Sequence, residues 1–404
     1  MTRVHIPYGV YWSTPFSRWQ GSLSRLHSLR FAAWTARREL ERRGIAPAAL
    51  QSAVLGCSVP QQGSFYGLPW VAGMLGAPHL AGPVVSQACA TSVRGLATAA
   101  AELMLGHAET SLVLMADRVS NGPQLYHPDP AGPGGSGSHE NWVLDNFSHD
   151  PWSGLSMLQT GERVAERHGI STAEQNAVTL RRYEQYAQAC ADGRRFQQRY
   201  MTLPFEVPDA RYAKIASVLE GDEGIHATTA EGLARLSAVL PGGTITYGGQ
   251  THPADGNAGM ILATAGRARE LSRRPEIGIE ILAFGQSRTE KGYMPRAPIE
   301  AAGNALRRAG LAMADLHAVK THNPFVVSDI ALARATGFDV MAMNQYGCSL
   351  VWGHPQSPTG LRSVIELIEE LAERGGGLGL FTGCAAGDSA MAVVLSVDAG
   401  GAAR

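Results

Sequence analysis

The chain has 404 residues, 45% of them hydrophobic and 17% charged, with a formal net charge of −1. Such a length exceeds one ordinary hydrophobic core and implies two domains or two halves of one large unit. The near-zero charge gives no sign of a general nucleic-acid binder, which needs a basic patch, and five scattered cysteines without a C-x-x-C pair argue against a disulfide framework or a zinc site.

The N-terminus, MTRVHIPYGVYWSTPF, lacks the basic and apolar regions of a secretory signal. No stretch reaches ~18 uninterrupted apolar residues, so no membrane span is expected. The expected location is the cytoplasm, and no metal is expected.

Residues 22–45 show helical apolar spacing that ends at Gly44. Residues 51–56 and 83–88 read as strands, 92–106 as an Ala-rich helix, and 111–116 as a buried strand. Residues 120–153, dense in Gly, Pro, Ser, His and Trp, read as a long ordered loop. Helices are expected at 156–168 and 171–198, with Ser171 and Glu174 forming a capping box. The stretch 203–250 reads as irregular. Strands follow at 259–264, 277–284 and 316–320, and helices at 298–309 and 326–336. A helix at 358–374 and strands at 378–382 and 390–396 close the chain. The pattern is α/β, an insertion, then α/β again.

The two α/β parts echo each other. Cys89 lies six residues before Gly95-Leu96, and His354 lies six residues before Gly360-Leu361; each pair opens a helix followed by a Gly turn and a strand. Both echoed positions hold reactive side chains. A cysteine between a strand and a helix N-terminus sits near unpaired N–H groups that favour its thiolate. A histidine fixed in a Gly-Pro turn can serve as its general base. Cys384, in FTGCAAGDSAM, follows a strand end in a turn of small residues that lets a ligand approach the backbone. His322 and Asn323, in THNPF, stand at another strand end as polar donors. Read singly, each is also consistent with a packing or capping role.

Taken in order, these segments resemble the thiolase family along most of the chain. TPFSRWQGSLS resembles its N-terminal T-P-[FI]-G-[KR]-[FL]-G-G-x-L signature, and ACATS occupies the place of its nucleophile motif. MLQTGERVAERHGISTAEQN, GTITYGGQTHPADGNAG and NQYGCSLVWGHPQSPTGLR resemble three further signatures of that family. The resemblance implies a five-layer αβαβα sandwich of two similar halves, residues 1–119 plus 240–275 and residues 276–404. It places a loop domain at 120–239 that binds coenzyme A and substrate. It assigns Cys89 as nucleophile, His354 as its base, Cys384 as acid or base, and His322 with His354 as an oxyanion hole. The backbone N–H groups of Cys89 and Ala386 would form a second hole. Thr251, Ser156 and Met157 fall at positions that face coenzyme A or the substrate. Coenzyme A is then a substrate rather than a permanently bound cofactor, and a homodimer or dimer of dimers is expected. A small zinc- and OB-fold-containing subunit is a further partner in parts of the family.

Several positions depart from the family pattern. C-[GA]-S-G becomes Cys89-Ala90-Thr91-Ser92, C-x-G-G-G becomes Cys384-Ala385-Ala386-Gly387-Asp388, and N-E-A-F becomes H-N-P-F. Ser156 replaces the His of H-M-G, and Thr251 replaces the Ser of N-A-S. The chemistry-bearing residues stay while the pocket walls change, which suggests an uncommon acyl group, aromatic or dicarboxylic. A ketoacyl-synthase-like condensing enzyme and an inactive scaffold are the competing expectations.

Overall fold

The computed structural model describes residues 3–400. Three short strands open the chain, β1 (Val4–His5), β2 (Tyr11–Ser13) and β3 (Ser17–Arg18). Then come α1 (Ser28–Arg42), β4 (Ser52–Gly56), α2 (Leu68–Leu75), β5 (Val84–Val85), α3 (Thr91–Met104) and β6 (Thr110–Arg118). The insertion holds a hairpin of β7 (Gln124–His127) and β8 (Ser138–Asn141), then α4 (Leu144–Ser148), α5 (Met157–His168), α6 (Thr172–Ala189) and the single turn α7 (Ala191–Arg194). A second hairpin, β9 (Phe205–Pro208) and β10 (Ile215–Leu219), and the short α8 (Ala230–Ala234) complete it. The remainder runs β11 (Ala254–Ala263), α9 (Ala265–Leu271), β12 (Gly278–Arg288), α10 (Ala297–Ala309), β13 (Ala318–His322) and α11 (Val326–Thr336). It ends with α12 (Ser349–Trp352), α13 (Ser357–Glu373), β14 (Gly376–Ala385) and β15 (Ser389–Asp398).

One half-sheet pairs β5, β4 and β6 in parallel and β6 with β11 antiparallel. The other pairs β13 with β14 in parallel, then β14 with β15 and β15 with β12 antiparallel. Both halves share a parallel pair followed by two antiparallel ones, β4–β6–β11–β2 in the first and β13–β14–β15–β12 in the second, and β1 joins them by pairing with both β11 and β12. The helices α3 and α13 lie between the half-sheets and pack against each other. Helices α1 and α2 cover the outer face of the first half, and α10 covers that of the second. This gives the five αβαβα layers that the resemblance implied.

A helix buried on all sides must be apolar or fully paired. Helix α13 is paired: Ser357 to Leu371 are all buried, among them Arg362, Glu366, Glu369 and Glu370. Arg362 is fully buried against Asp222 of the insertion, with Nη2 2.8 Å from Oδ2 and Nε 3.1 Å from Glu366 Oε1. Its guanidinium lies 4.9 Å from the Phe16 ring centroid and 4.4 Å from that of Trp352. Glu366 also meets Lys320 Nζ at 3.1 Å and Tyr200 Oη at 2.8 Å. Asp222 further accepts the Phe16 N–H at 2.8 Å and the Tyr186 hydroxyl at 2.9 Å. The insertion is thus tied to the central helix by ion pairs rather than by apolar packing alone.

The structure corrects several sequence expectations. The first helix starts at Ser28, not at residue 22. The helix expected over 171–198 ends at Ala189, because Asp192 and Gly193 take left-handed φ values of 50° and 65°. Ser171 does cap it, accepting the Glu174 N–H at 3.2 Å, but the Glu174 carboxylate turns to Arg334 instead of closing the box. The reciprocal capping box forms at Ser156 and Gln159. The loop at 120–153 contains the β7–β8 hairpin, and the stretch at 203–250 contains β9–β10. No helix among the described residues is long and apolar enough to cross a membrane.

Asp222→Ala leaves the Arg362 charge buried and unpaired, so it is expected to lower the unfolding free energy by about 3–5 kcal/mol in chemical denaturation. Adding Arg362→Met to that variant should recover much of the loss; a single variant as stable as the wild type would contradict the assigned pairing.

Candidate active site

The polypeptide turns sharply between β5 and α3. Ala88 adopts φ 45°, a left-handed conformation that is costly for a residue with a Cβ. Thr91 clamps the turn: its hydroxyl donates to the Ala88 carbonyl at 2.6 Å and accepts the Gln87 N–H at 2.8 Å. The next residue, Ser92, donates to the Ser357 carbonyl and accepts the Leu361 N–H at 2.7 Å. Thr91 and Ser92, the altered half of the nucleophile motif, are therefore structural. One shapes the elbow and the other joins the start of α3 to the start of α13.

That junction brings the two echoed positions together. A Cβ on Gly360 would lie 3.0 Å from Ser92 Cβ, so a glycine lets the helices approach this closely. Buried Asp117 fixes the same region, accepting the Ser357 N–H at 2.9 Å and the Val59 N–H at 2.8 Å. As a result His354 Nε2 stands 3.0 Å from Cys89 Sγ. The Nδ1 of His354 meets Thr359 Oγ1 at 2.6 Å, which orients the ring.

His322 stacks beside His354 with ring centroids 4.1 Å apart. Its Nδ1 meets Ser349 Oγ at 2.8 Å, while its Nε2 is enclosed without a hydrogen-bond partner. Asn323 faces the scaffold instead. Its amide donates to Asp329 Oδ2 at 2.8 Å and its oxygen accepts the Leu350 N–H at 3.2 Å. Asp329 also holds Arg182 and Thr321, so the H-N-P-F turn is anchored by a buried polar cluster. Asn323, read from sequence as a carbonyl-binding donor beside His322, is thereby excluded from that role.

Burial sets the electrostatics. It pushes the Cys89 thiol up to about 12, opposed by the backbone N–H groups of Ala386 and of Cys89 itself, which face the sulfur. It pulls the His354 imidazole down to about 3. His322 is held well below its ordinary value, by burial first and by neighbouring His354 second. The Cys384 thiol is raised well above its usual range by burial and then by the nearby Cys89 sulfur. The resting pair is therefore a neutral thiol facing a neutral imidazole.

A cavity of about 920 Å³ opens onto this pair. Cys89, His354 and Ala386 are in its wall, and so are Thr251, Ser156 and Met157. The Thr251 hydroxyl donates to the Ser349 carbonyl and the Ser156 hydroxyl caps α5, so each offers a ligand only its remaining capacity. His322 and Cys384 lie buried behind the wall. Cys384 sits within β14, paired with Ala390, rather than in the turn after it; the turn begins at Ala386. Gln356, with φ 64° and Oε1 3.4 Å from Cys89 Sγ, joins the site without any sequence signal beyond its place after Gly-His-Pro. The aromatic wall from Trp19, Trp142, Phe147 and Tyr183 was likewise invisible, because these residues are far apart in sequence.

Comparison with known proteins agrees with this architecture. Residues 12–266 match the family model "Thiolase, N-terminal domain" and residues 276–397 match "Thiolase, C-terminal domain". A 3-ketoacyl-CoA thiolase of Erwinia tasmaniensis is 30% identical, with 98% of this chain and 97% of that protein covered. One from Bacillus subtilis is 27% identical, with 94% and 95% covered. Human mitochondrial 3-ketoacyl-CoA thiolase, crystallised with CoA, superposes with a TM-score of 0.86 at 23% identity, with 98% of each chain covered. Bacillus anthracis acetyl-CoA acetyltransferase gives 0.88 at 22% identity, with 98% and 99% covered. Those two structural likenesses speak for the fold, and the matched domains and sequence relatives for more: the chain belongs to the thiolase family and is an acyltransferase of the thiolase type.

Proposed function

We propose that this enzyme cleaves a 3-oxoacyl-CoA with free CoA, or runs the reverse Claisen condensation, through an acyl group carried on Cys89. The observation that carries this reading is the 3.0 Å contact between Cys89 Sγ and His354 Nε2 at the wall of a large, mostly apolar cavity.

Neither partner is charged at rest, so the thiol proton moves to His354 only as sulfur attacks. The new C–S bond forms at the 3-keto carbon. The bond between C2 and C3 then breaks, its electron pair staying on the departing acyl-CoA as an enolate. Cys384, lodged beside Cys89, supplies the proton that converts this enolate to acyl-CoA. The thiol of free CoA then attacks the acyl-Cys89 carbonyl, its proton replacing the one lost from Cys384, and Cys89 regains its own from His354. The N–H groups of Cys89 and Ala386 face the sulfur and suit the oxyanion of the tetrahedral intermediate. His322, 4.1 Å from His354 ring to ring, suits the thioester enolate oxygen in the tautomer whose Nε2 carries the proton and whose Nδ1 accepts from Ser349.

The wall favours an aromatic acyl group over a dicarboxylic one. Arg18 is the sole Arg or Lys among its lining residues, and it is more than half exposed and engaged with Glu223. A carboxylate placed deep among Trp142, Phe147 and Phe325 would be unpaired. The segment 120–239 supplies Trp142, Phe147 and Tyr183 to this wall, in keeping with a loop domain that receives coenzyme A and the acyl chain. The same reading carries a cytoplasmic homo-oligomer. The Cys89, His322, His354 grouping also favours a second reading, a condensing enzyme fed by acyl carrier protein; turnover of carrier-bound but not CoA-bound substrates would decide for it.

In a thiolysis assay followed at the thioester absorbance, Cys89→Ser should abolish turnover and His354→Asn should slow it by about 10²–10⁴. Phenyl-bearing 3-oxoacyl-CoA esters should outpace dicarboxylic ones. Wild-type rates in Cys89→Ser would refute the assignment. Because the free thiol titrates far above neutrality, iodoacetamide labelling of Cys89 should accelerate roughly tenfold per pH unit from about pH 7 to 9. A rate that is already flat there would mean a preformed thiolate.

A further inference from the structure

Three soft or borderline donor atoms converge at the site although they come from positions 89, 322 and 354. One donor each from Cys89, His322 and His354 lies within 4.8 Å of the others. A tetrahedral Zn²⁺ with Zn–S near 2.3 Å and Zn–N near 2.0–2.1 Å needs donors roughly 3.3–3.6 Å apart. The observed 3.0 Å between Cys89 Sγ and His354 Nε2 has to open slightly, and His322 has to draw in from a separation of up to 4.8 Å.

Both imidazoles are already oriented as metal ligands are. Each Nδ1 is held by a hydroxyl, His354 by Thr359 at 2.6 Å and His322 by Ser349 at 2.8 Å, which leaves each Nε2 as the ring nitrogen available to a metal; that of His354 faces the sulfur. Ser349 can accept the His322 Nδ1–H while passing its own proton to Asn323 Oδ1 at 3.1 Å. In that tautomer His322 Nε2 carries a free lone pair, and Nε2 is a buried atom without any hydrogen-bond partner. Metal-binding motifs are usually read from ligand spacing along the chain, and here that spacing is absent. The fold builds the set from two turns and the end of β13.

We infer that Cys89, His322 and His354 form a Zn²⁺ site whose fourth position opens to the acyl cavity, so that metal and acyl-CoA exclude each other. Binding forms one Zn–S and two Zn–N bonds and releases the Cys89 thiol proton to solvent. The captured sulfur is a metal thiolate and no longer attacks a carbonyl. The enzyme would then be switched off, reversibly, by zinc and restored by a chelator. The site stands on donor geometry and does not depend on which acyl group is processed.

The test uses the full chain and the metal alone. Co²⁺ reports a bound thiolate through its near-ultraviolet charge-transfer band, and Zn²⁺ is titrated by calorimetry against a competing chelator. One equivalent should bind with release of one proton. Cys89→Ala should abolish the band, His322→Asn should weaken Zn²⁺ binding at least about 100-fold, and Ser349→Ala about 10–100-fold. Wild-type protein blocked at Cys89 with iodoacetamide should bind nothing, and this arm holds even where a variant fails to fold. A charge-transfer band in Cys89→Ala, or His322→Asn binding Zn²⁺ as tightly as wild type, would overturn the proposal. Because the readout is metal binding, loss of the acyl-Cys89 reading would leave these outcomes unchanged, and the reverse also holds.

Discussion

The structure depends on one close contact, the meeting of the starts of α3 and α13 between the two half-sheets. Ser92 bonds both Ser357 and Leu361, and Gly360 lacks the Cβ that would lie 3.0 Å from Ser92 Cβ. Each helix follows a turn that carries one reactive group. Once the helix starts touch, Cys89 and His354 have no separate positions to occupy, and their 3.0 Å contact follows from backbone packing. On the proposed mechanism, catalytic geometry and core packing are the same constraint.

A second constraint keeps the cavity in register with that pair. The insertion supplies much of the aromatic wall, yet it is held to the core by Asp222 on Arg362 and by the Tyr200 hydroxyl on Glu366. A buried ion pair contributes less net stability than its contacts suggest, but losing one partner is expensive. The arrangement therefore specifies where the insertion sits more than it strengthens the fold. The buried cluster of Arg182, Asp329, Asn323 and Asn344 does the same for the turn bearing His322.

Much of this was legible in the sequence. Strand-length apolar runs, helix periodicity and the spacing echo around Cys89 and His354 gave the α/β plan and its duplication, since these depend on local pattern. The reactive residues stood out because a cysteine and a histidine occupied matching turns. What stayed hidden was long-range. Gln356, Thr359 and Ser349 acquire meaning only when strands and helices bring them beside Cys89, His354 and His322. Asn323 misled because its polarity is spent on buried Asp329 rather than on a ligand. The helix expected to run to residue 198 broke at Asp192-Gly193, where left-handed backbone outweighs the surrounding helix formers.

In the proposed reaction the acyl group passes through Cys89. The most direct test is peptide-level mass spectrometry of the protein quenched in acid after mixing with a 3-oxoacyl-CoA in the absence of free CoA. An acyl adduct is expected on the peptide that contains Cys89, discharged when CoA is added. Adduct on another residue, or cleavage of the substrate with no adduct on Cys89, would contradict it.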